Sequence, residues 1–543
     1  MSAGRVERSL QPTDDGKSAV ASGGIVSSAF PDATAAGVDI LAQGGNAIDA
    51  ACAVAFALSV CEPQASGLGG QAVGIVHFEG RTFAVDGSSR VPSLGHRSNV
   101  RKRQRRTGYK APTVPSLPAV YGWLHRSRGL LPWADVLAPA IRIAREGYRI
   151  TQLQRDLQRR EVKTFLRVPS RSGARYFLRD GRKAYRAGDL FRQPDLANLL
   201  EIIARRGVEA FYTGDVAAQI DADMRANGGL IRADDLARIP WPIERRPLRR
   251  RYRNLLLASV PPPAAGRTLL LVMMMLNHLS SQLLAGRTPN RYHFLAETFR
   301  KAFLQRRDRP FDPNTYPQMQ DKLMLKRAFA GELVSTISEG VDPLLPTDGP
   351  PDIAADTTHF SVMDAAGNVA SMTQSIELVY GSKAAAEGLG FLYNDYMLAL
   401  EPDISAHPYY LRPGAVPWST ATPAIVFRRG EPWLALGSPG SERIFSAVSQ
   451  FLVDVVDRSS SIYDAMHEPR FHCSVGGTIS LEYDRFDPGV TEHLRALGYE
   501  IDAREPFAFY LGSIQAVLKR QTGPGFQGVA DVRRDGTTAG PGS

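Results

Sequence analysis

Apolar positions along this chain change texture from one end to the other. Through the first part they recur with helical spacing, whereas in the last third they alternate or cluster as strands do. Gly23-Gly24-Ile25-Val26-Ser27-Ser28 predicts a short strand, and Pro31-Asp32 then opens a helix through Ala33–Leu41 that Gly44-Gly45 terminates. Asn46 is placed to cap a second helix, Ala47–Val60, small and apolar on nearly every face, as suits a helix buried in a large core. Ser66-Gly67-Leu68-Gly69-Gly70 precedes a strand at Gln71–Phe78. Between about Leu130 and Ile239 the pattern is amphipathic and helical, as in Trp133–Arg145 and Gln193–Arg206. Pro261-Pro262-Pro263 breaks the chain before a buried helix, Thr268–Leu279. Prolines, aspartates and glycines rise around Pro310–Pro351, and Asp342–Asp356 reads as an exposed linker. Strands are predicted at Thr357–Met363, Val369–Ile376, Ala424–Phe427 and Trp433–Leu436, and a helix at Arg443–Val456. The expected organisation is a flexible polar leader over 1–22, a helix-rich part over 23–356 and a strand-rich part over 357–543.

Composition narrows this picture. With 543 residues, 43% of them apolar, the chain suffices for two or three ordinary domains or one large composite fold. Met1–Ser22 has no apolar segment of the secretory kind. The longest apolar run, Leu269–Leu276, is well under half of the roughly 20 residues a membrane-spanning helix needs, so the expected location is the cytoplasm, with no membrane partner. Cys52, Cys61 and Cys473 are scattered and odd in number, which suggests buried inert thiols. The formal charge of +10 is densest at Arg101-Lys102-Arg103-Gln104-Arg105-Arg106. No nucleic-acid-binding motif accompanies that run, so it reads as a solvated surface loop. The glycines of residues 66–70 lack dinucleotide or P-loop spacing, His467–His472 lacks the spacing of HExxH, and no GxSxG elbow occurs. No metal or organic cofactor is expected.

The chemistry concentrates in one hairpin. Asp356-Thr357-Thr358-His359-Phe360-Ser361-Val362-Met363 and Val369–Ile376 flank the turn formers Asp364-Ala365-Ala366-Gly367-Asn368. If Met363 faces Val369, paired numbers sum to 732, and Ser375 stands opposite Thr357 with Glu377 on the same face. A threonine hydroxyl needs a base to become a nucleophile. Inside the chain the Thr357 nitrogen is an amide, but at a chain terminus it is an amine with a pKa near roughly 7.7–8, able to take the proton of its own hydroxyl. The same hydroxyl can free that terminus by attacking the Asp356 carbonyl in an N-to-O acyl shift followed by hydrolysis.

At this point the chain resembles the γ-glutamyltranspeptidase family of N-terminal-nucleophile hydrolases over nearly its whole length. The matching stretches include Gln43–Ala51, Glu62-Pro63 through Gly70, Leu137–Ile141 near Glu146-Gly147, and Pro261-Pro262-Pro263 with Gly266. They continue with Thr357-Thr358-His359 before Asp364 and Gly367-Asn368, then Gly437-Ser438-Pro439-Gly440 and Pro469–His472. The resemblance implies an α+β fold of the four-layer αββα type, made as a precursor and cut into large and small subunits that stay together. A dimer of such heterodimers is compatible with it. It places the nucleophile on Thr357, the assisting hydroxyl on Ser375, the oxyanion-hole pair on Gly440 and Ser441, and the paired pocket hydroxyls on Ser419 and Thr420.

The recognition positions depart from the family pattern. The arginine that would pair with the substrate α-carboxylate falls on Ser88, the asparagine on Glu377, and a polar residue and an aspartate on Tyr396 and Ala399. Losing charge-assisted contacts costs roughly 1.5–3 kcal/mol each, so standard γ-glutamyl substrates are disfavoured. A carboxylate at Glu377 would repel the substrate carboxylate further, while Arg90 could substitute for the missing arginine. Glu377 suggests either a substrate with a cationic or hydrogen-donating group or a structurally paired glutamate. The expected activity is self-cleavage at Asp356–Thr357 followed by hydrolysis or transfer of an altered acyl group from a small amide or peptide-like molecule. A genuine γ-glutamyl enzyme with a rebuilt pocket and a non-catalytic binding protein are the competing readings.

Overall fold

The computed structural model describes residues 15–308, 323–338, 340 and 356–542. The linker expected over 342–356 lies outside the described residues except for Asp356. Thirteen of the strands precede the turn into the last helix of the core: β1 (Ser18–Ala21), β2 (Gly24–Ser28), β3 (Gln71–Phe78), β4 (Arg81–Gly87), β5 (Tyr148–Arg149), β6 (Leu190–Phe191), β7 (Ile243–Arg245), β8 (Leu248–Tyr252), β9 (Leu255–Ser259), β10 (Thr358–Asp364), β11 (Val369–Ser375), β12 (Ala424–Arg428) and β13 (Glu431–Gly437). There follow β14 (Phe471–Cys473), β15 (Thr478–Glu482), β16 (Glu500–Arg504), β17 (Gln515–Lys519), β18 (Phe526–Ala530) and β19 (Thr537–Ala539).

Two seven-stranded sheets carry the fold, ordered β1-β18-β17-β13-β12-β9-β8 and β19-β2-β10-β11-β3-β4-β7. Every pairing within them is antiparallel. Their inner faces meet in a layer of small and branched residues, including Ile25, Ile75, Ala84, Ala258, Ile425, Ala435 and Val517. The outer face of the second sheet packs on α1 (Pro31–Ala42), α2 (Ala47–Cys61), α3 (Trp133–Glu146) and α4 (Pro194–Arg206) in one continuous core. The outer face of the first packs on α5 (Gly266–Leu276), α6 (Pro289–Asp308) and α7 (Ile444–Val456) in another. This is the αββα sandwich expected from the sequence, with each sheet buried on both faces.

Local sequence explains the elements nearest the hairpin. All 15 residues of α2 are buried, and its start is fixed by a reciprocal cap in which Asn46 accepts from Ile48 N and Asp49 N while Asp49 accepts from Asn46 N. The Ala47 amide donates to Asp364 Oδ2 at 2.9 Å, which ties the helix to the hairpin turn. Asp364 also accepts from Asn368 N and Nδ2, and Gly367 sits at φ +85°, so Asp364, Gly367 and Asn368 shape the turn. Alternation along β10 turns Phe360 and Val362 to the helices and Met363 to the inter-sheet layer.

Two expectations are corrected. The leader does not extend to residue 22, because Ser18–Ala21 is an edge strand whose backbone pairs with Phe526–Val529. The basic run is not wholly solvated: Arg105 is buried, with Nη1 donating to Leu400 O at 2.5 Å, while Arg101, Lys102, Arg103 and Arg106 are exposed. The three cysteines are buried thiols, as expected. No helix among the described residues is long and apolar enough to cross a membrane.

Candidate active site

The hairpin register decides the site. Met363 pairs with Val369 and Thr358 with Gln374, which is the register expected from the sequence and places Thr357 beside Ser375. Thr357 Oγ1 lies 3.2 Å from Ser375 Oγ and 2.8 Å from the Asp356 carbonyl oxygen. Ser375 Oγ donates to that same carbonyl at 2.9 Å and accepts from Glu377 N at 2.8 Å. In the uncut chain, then, the Asp356 carbonyl oxygen accepts from both Ser375 Oγ and Thr357 Oγ1. A donor fixed on the oxygen where negative charge develops is the arrangement that lowers the barrier to acyl transfer.

Close backbone approaches hold this geometry. A side chain on Gly70 would begin 2.3 Å from Ser375 O, and one on Gly69 would begin 2.1 Å from Leu392 O, so Gly70 serves packing against the end of β11 and Gly69 packing against the segment around Leu392. His359 is buried between the sheets, its Nδ1 2.8 Å from Thr373 Oγ1 and its Nε2 3.1 Å from Ser361 Oγ. Burial pushes its pKa down to about 3, so the ring is neutral. Gly437, at the end of β13, lies against that ring, where a Cβ would come within 2.3 Å of Cε1.

Thr357 and Ser375 open into a narrow cleft lined by Gln71, Val73, Thr373, Glu377, Tyr396, Ser419, Thr420, Ala421 and Ile444. Of the residues expected to bind substrate, Glu377, Tyr396, Ser419 and Thr420 are brought together here. Ser88, Arg90 and Ala399 are not part of the lining. Ser88 is buried and its hydroxyl donates to Asp86 Oδ1 at 2.6 Å, while Asp86 is paired on its other oxygen with Arg245. Arg90 bridges Val114 through its backbone, and no guanidinium or ammonium is among the lining groups of the described residues, while Arg306 Nη2 donates to the carbonyl of Ser419, one of the lining residues, at 2.6 Å. Ala399 is buried in the short turn Tyr396–Ala399. Gly440 and Ser441 form the turn from β13 into α7 with φ of +127° and +53°, and Ile444, the first residue of α7, reaches the cleft. Neither has a hydrogen bond to Thr357 in the uncut chain.

Glu377 stands differently from what the sequence suggested. Burial and the neighbouring Asp395 push its carboxyl up to about 8, which at neutral pH favours the protonated form, a hydrogen-bond donor, over the carboxylate that would repel a substrate carboxylate. Asp395 is itself pushed up to about 7 by burial, with Lys383 opposing. Tyr396 is buried with its hydroxyl toward Ser375 and Gln71.

Sequence reasoning missed Gln71, Thr373 and Asp395. Thr373 was within reach, since it lies two residues before Ser375 on the same strand and therefore on the same face. Gln71 enters only because β3 pairs with β11, setting it opposite Ser375, which no local signal announces.

A threonine hydroxyl poised on its own preceding carbonyl, at the edge of two face-packed antiparallel sheets, defines an N-terminal-nucleophile hydrolase in its uncut form. The family profile described as Gamma-glutamyltranspeptidase matches residues 33–541. The chain is 30% identical to the Glutathione hydrolase proenzyme of Escherichia coli (strain K12), over 95% of this chain and 92% of that one. It is 32% identical to the Acylase ACY 1 proenzyme of Pseudomonas sp. (strain SE83), over 98% and 96% respectively. Among solved structures, the cephalosporin acylase from Bacillus halodurans superposes with a TM-score of 0.88 at 26% identity, covering 96% of each chain. The protein belongs to the γ-glutamyltranspeptidase family. It is a self-processing amide hydrolase or acyl transferase of the N-terminal-nucleophile class, acting on small substrates as a two-subunit enzyme.

Proposed function

We propose that the chain cuts itself between Asp356 and Thr357 and then uses Thr357 to remove or transfer an acyl group other than the γ-glutamyl zwitterion. The observation that carries the specificity is the cleft wall beside Thr357, where Glu377, Tyr396, Ser419 and Thr420 supply hydroxyls and a carboxyl with a raised pKa, and where no cationic side chain lines the cleft among the described residues. A γ-glutamyl group brings a carboxylate and an ammonium on one carbon, and burying either without an opposite charge is costly. An acyl chain with a hydrogen-bonding end and no such charge pair fits these groups. The acylase names of two similar proteins support this direction.

Catalysis then runs through residues already placed. The freed Thr357 amine takes the proton of Oγ1, Oγ1 attacks the substrate carbonyl, and the amine part leaves with a proton. We assign Ser375 the task of orienting Oγ1, and the Gly440 and Ser441 amides the task of receiving the oxyanion from the α7 side. Water or an amine acceptor discharges the acyl-enzyme.

The first experiment is intact mass and N-terminal sequencing beside a Thr357→Ala control. Two chains, the smaller beginning Thr-Thr-His-Phe, with the control uncut, are expected. The second compares γ-glutamyl, 4-carbamoylbutyryl and butyryl anilides. Turnover of the 4-carbamoylbutyryl anilide, whose end is polar and uncharged, is expected to exceed γ-glutamyl turnover in kcat/KM by about tenfold or more, from the loss of at least one charge-assisted contact. A γ-glutamyl preference would return the assignment to an ordinary γ-glutamyl enzyme.

A further inference from the structure

A buried charge cluster surrounds the scissile bond and has no part in acyl recognition. Arg534, from the C-terminal segment, donates from Nη1 to Asp356 Oδ1 at 2.5 Å and to Thr357 O at 3.3 Å. Its guanidinium thus touches the residue on each side of the bond that is to break. Asp356 Oδ1 also accepts from Thr357 N at 2.8 Å, so the carboxyl group sits on the nitrogen that must leave. Glu62, just past the end of α2, lies 4.0 Å from the same Nη1, and Phe509 stacks on the guanidinium at 4.1 Å. All three charged side chains are almost wholly buried. One cation therefore serves two carboxyls, and burial together with Asp356 raises the Glu62 pKa to about 8. Among the described residues, Arg534 Nε and Nη2, Glu62 Oε2 and Asp356 Oδ2 have no hydrogen-bond partner, so the guanidinium bonds through Nη1 alone, to Asp356 and Thr357.

We propose that Arg534 is a positioning residue for self-cleavage, gripping Asp356 and Thr357 together so that the peptide bond between them is presented to the Thr357 hydroxyl. The inference rests on the reading that the chain cuts itself at this bond. In the first step Thr357 Oγ1 bonds to the Asp356 carbonyl carbon, and the carbonyl oxygen takes up negative charge facing Ser375. The carbon–nitrogen bond then breaks, and the proton lost from Oγ1 ends on the Thr357 nitrogen, leaving an ester and a free amine. Water adds to the ester, giving the Asp356 α-carboxyl group and restoring the Thr357 hydroxyl. Through these steps Asp356 must not rotate, because its carbonyl has to stay between Thr357 Oγ1 and Ser375 Oγ. Its side chain, fixed by Arg534 and by Thr357 N, supplies that restraint. When Asp356 departs, Glu62 loses the neighbouring charge that raises its pKa and is left to pair with the buried cation.

The test is pulse–chase synthesis of the full chain in a cell-free system, following conversion of the precursor to two chains. Arg534→Ala, Arg534→Lys, Asp356→Asn and the double variant Arg534→Ala with Asp356→Asn are compared with wild type. Each of Arg534→Ala and Asp356→Asn is expected to slow cutting by about 10- to 100-fold, the worth of one charge-assisted hydrogen bond. The double variant is expected to cut no more slowly than the slower single one, and Arg534→Lys to recover part of the rate. Coupling of this kind distinguishes a grip through Asp356 from a general contribution to folding. Should Arg534→Ala fail to accumulate folded, Asp356→Asn decides alone, since it leaves the buried cation in place. Wild-type cutting by Asp356→Asn, or slowing that multiplies in the double variant, overturns the proposal. A wild-type chain that never cuts removes the proposed function itself, whereas a wild-type chain that cuts beside unaffected variants removes only the role of Arg534.

Discussion

Single atoms at Ser375 and Glu377 determine most of what this site can do. Ser375 Oγ contacts both the attacking hydroxyl and the carbonyl it attacks, so Ser375→Ala removes an orienting and a polarising contact together. Its expected effect is about a 10- to 100-fold slower self-cleavage, read by the fraction of two-chain protein with time, and Ser375→Thr is expected to retain most of the rate. Glu377 carries a sign that can be checked. Its folded pKa of about 8 lies above the unfolded value, so the fold binds this proton more tightly than the unfolded chain does. Stability is therefore greatest below the ordinary carboxyl range and is lost as pH rises toward 8. Glu377→Gln is expected to flatten that loss, raising the melting temperature at pH 8.5 relative to wild type while changing it little at pH 4.5. Equal shifts at both pH values would mean that the carboxyl titrates normally.

At the scale of elements, the hairpin and the turn after β13 come from different sheets and meet through His359 and Gly437. The ring bonds to Thr373 on one side and packs against the Gly437 backbone on the other, which couples the nucleophile strand to the turn that carries Gly440 and Ser441. Gly437→Ala has no free space for its methyl group and is expected to cost about 1–3 kcal/mol, seen in denaturant unfolding, with slower self-cleavage because the two elements are forced apart. The turn itself was visible in the sequence as Gly437-Ser438-Pro439-Gly440, but its partner ring was not, since residues 359 and 437 are joined only by the packing of one sheet on the other.

Across the whole molecule, the covalent cut does not separate two bodies. The sheet that bears Thr357 draws β2, β3, β4 and β7 from before the cut and β10, β11 and β19 from after it. Subunits interleaved in this way stay together through the same hydrogen bonds and cores that built the precursor. The C-terminal segment is in turn fastened within the part that follows the cut: Arg533 pairs with both Glu482 and Asp531 at zero side-chain exposure, and Asp531 also pairs with Arg470. Removing one member of such a buried network leaves uncompensated charge, so Arg533→Ala is expected to destabilise the protein by about 3–5 kcal/mol in thermal or urea unfolding. A loss below about 1 kcal/mol would mean that water replaces the arginine there.

The sequence by itself determined the elements and the chemistry of the nucleophile. Periodicity located α2, α3, β3, β10 and β11 to within a few residues, and the turn Asp364–Asn368 set the register that put Ser375 beside Thr357, because hairpin pairing is a local consequence of turn length and alternation. The edge strand Ser18–Ala21 escaped it, since four mixed residues carry too little alternation and take their structure from a partner some 500 positions away. Only the tertiary structure decided which recognition positions face the cleft, that burial raises the Glu377 pKa, and that Arg534 contacts both Asp356 and Thr357. Each of these depends on burial and on contacts between segments far apart in the chain, and the energy of a charge is set by what surrounds it in space rather than by its neighbours in sequence.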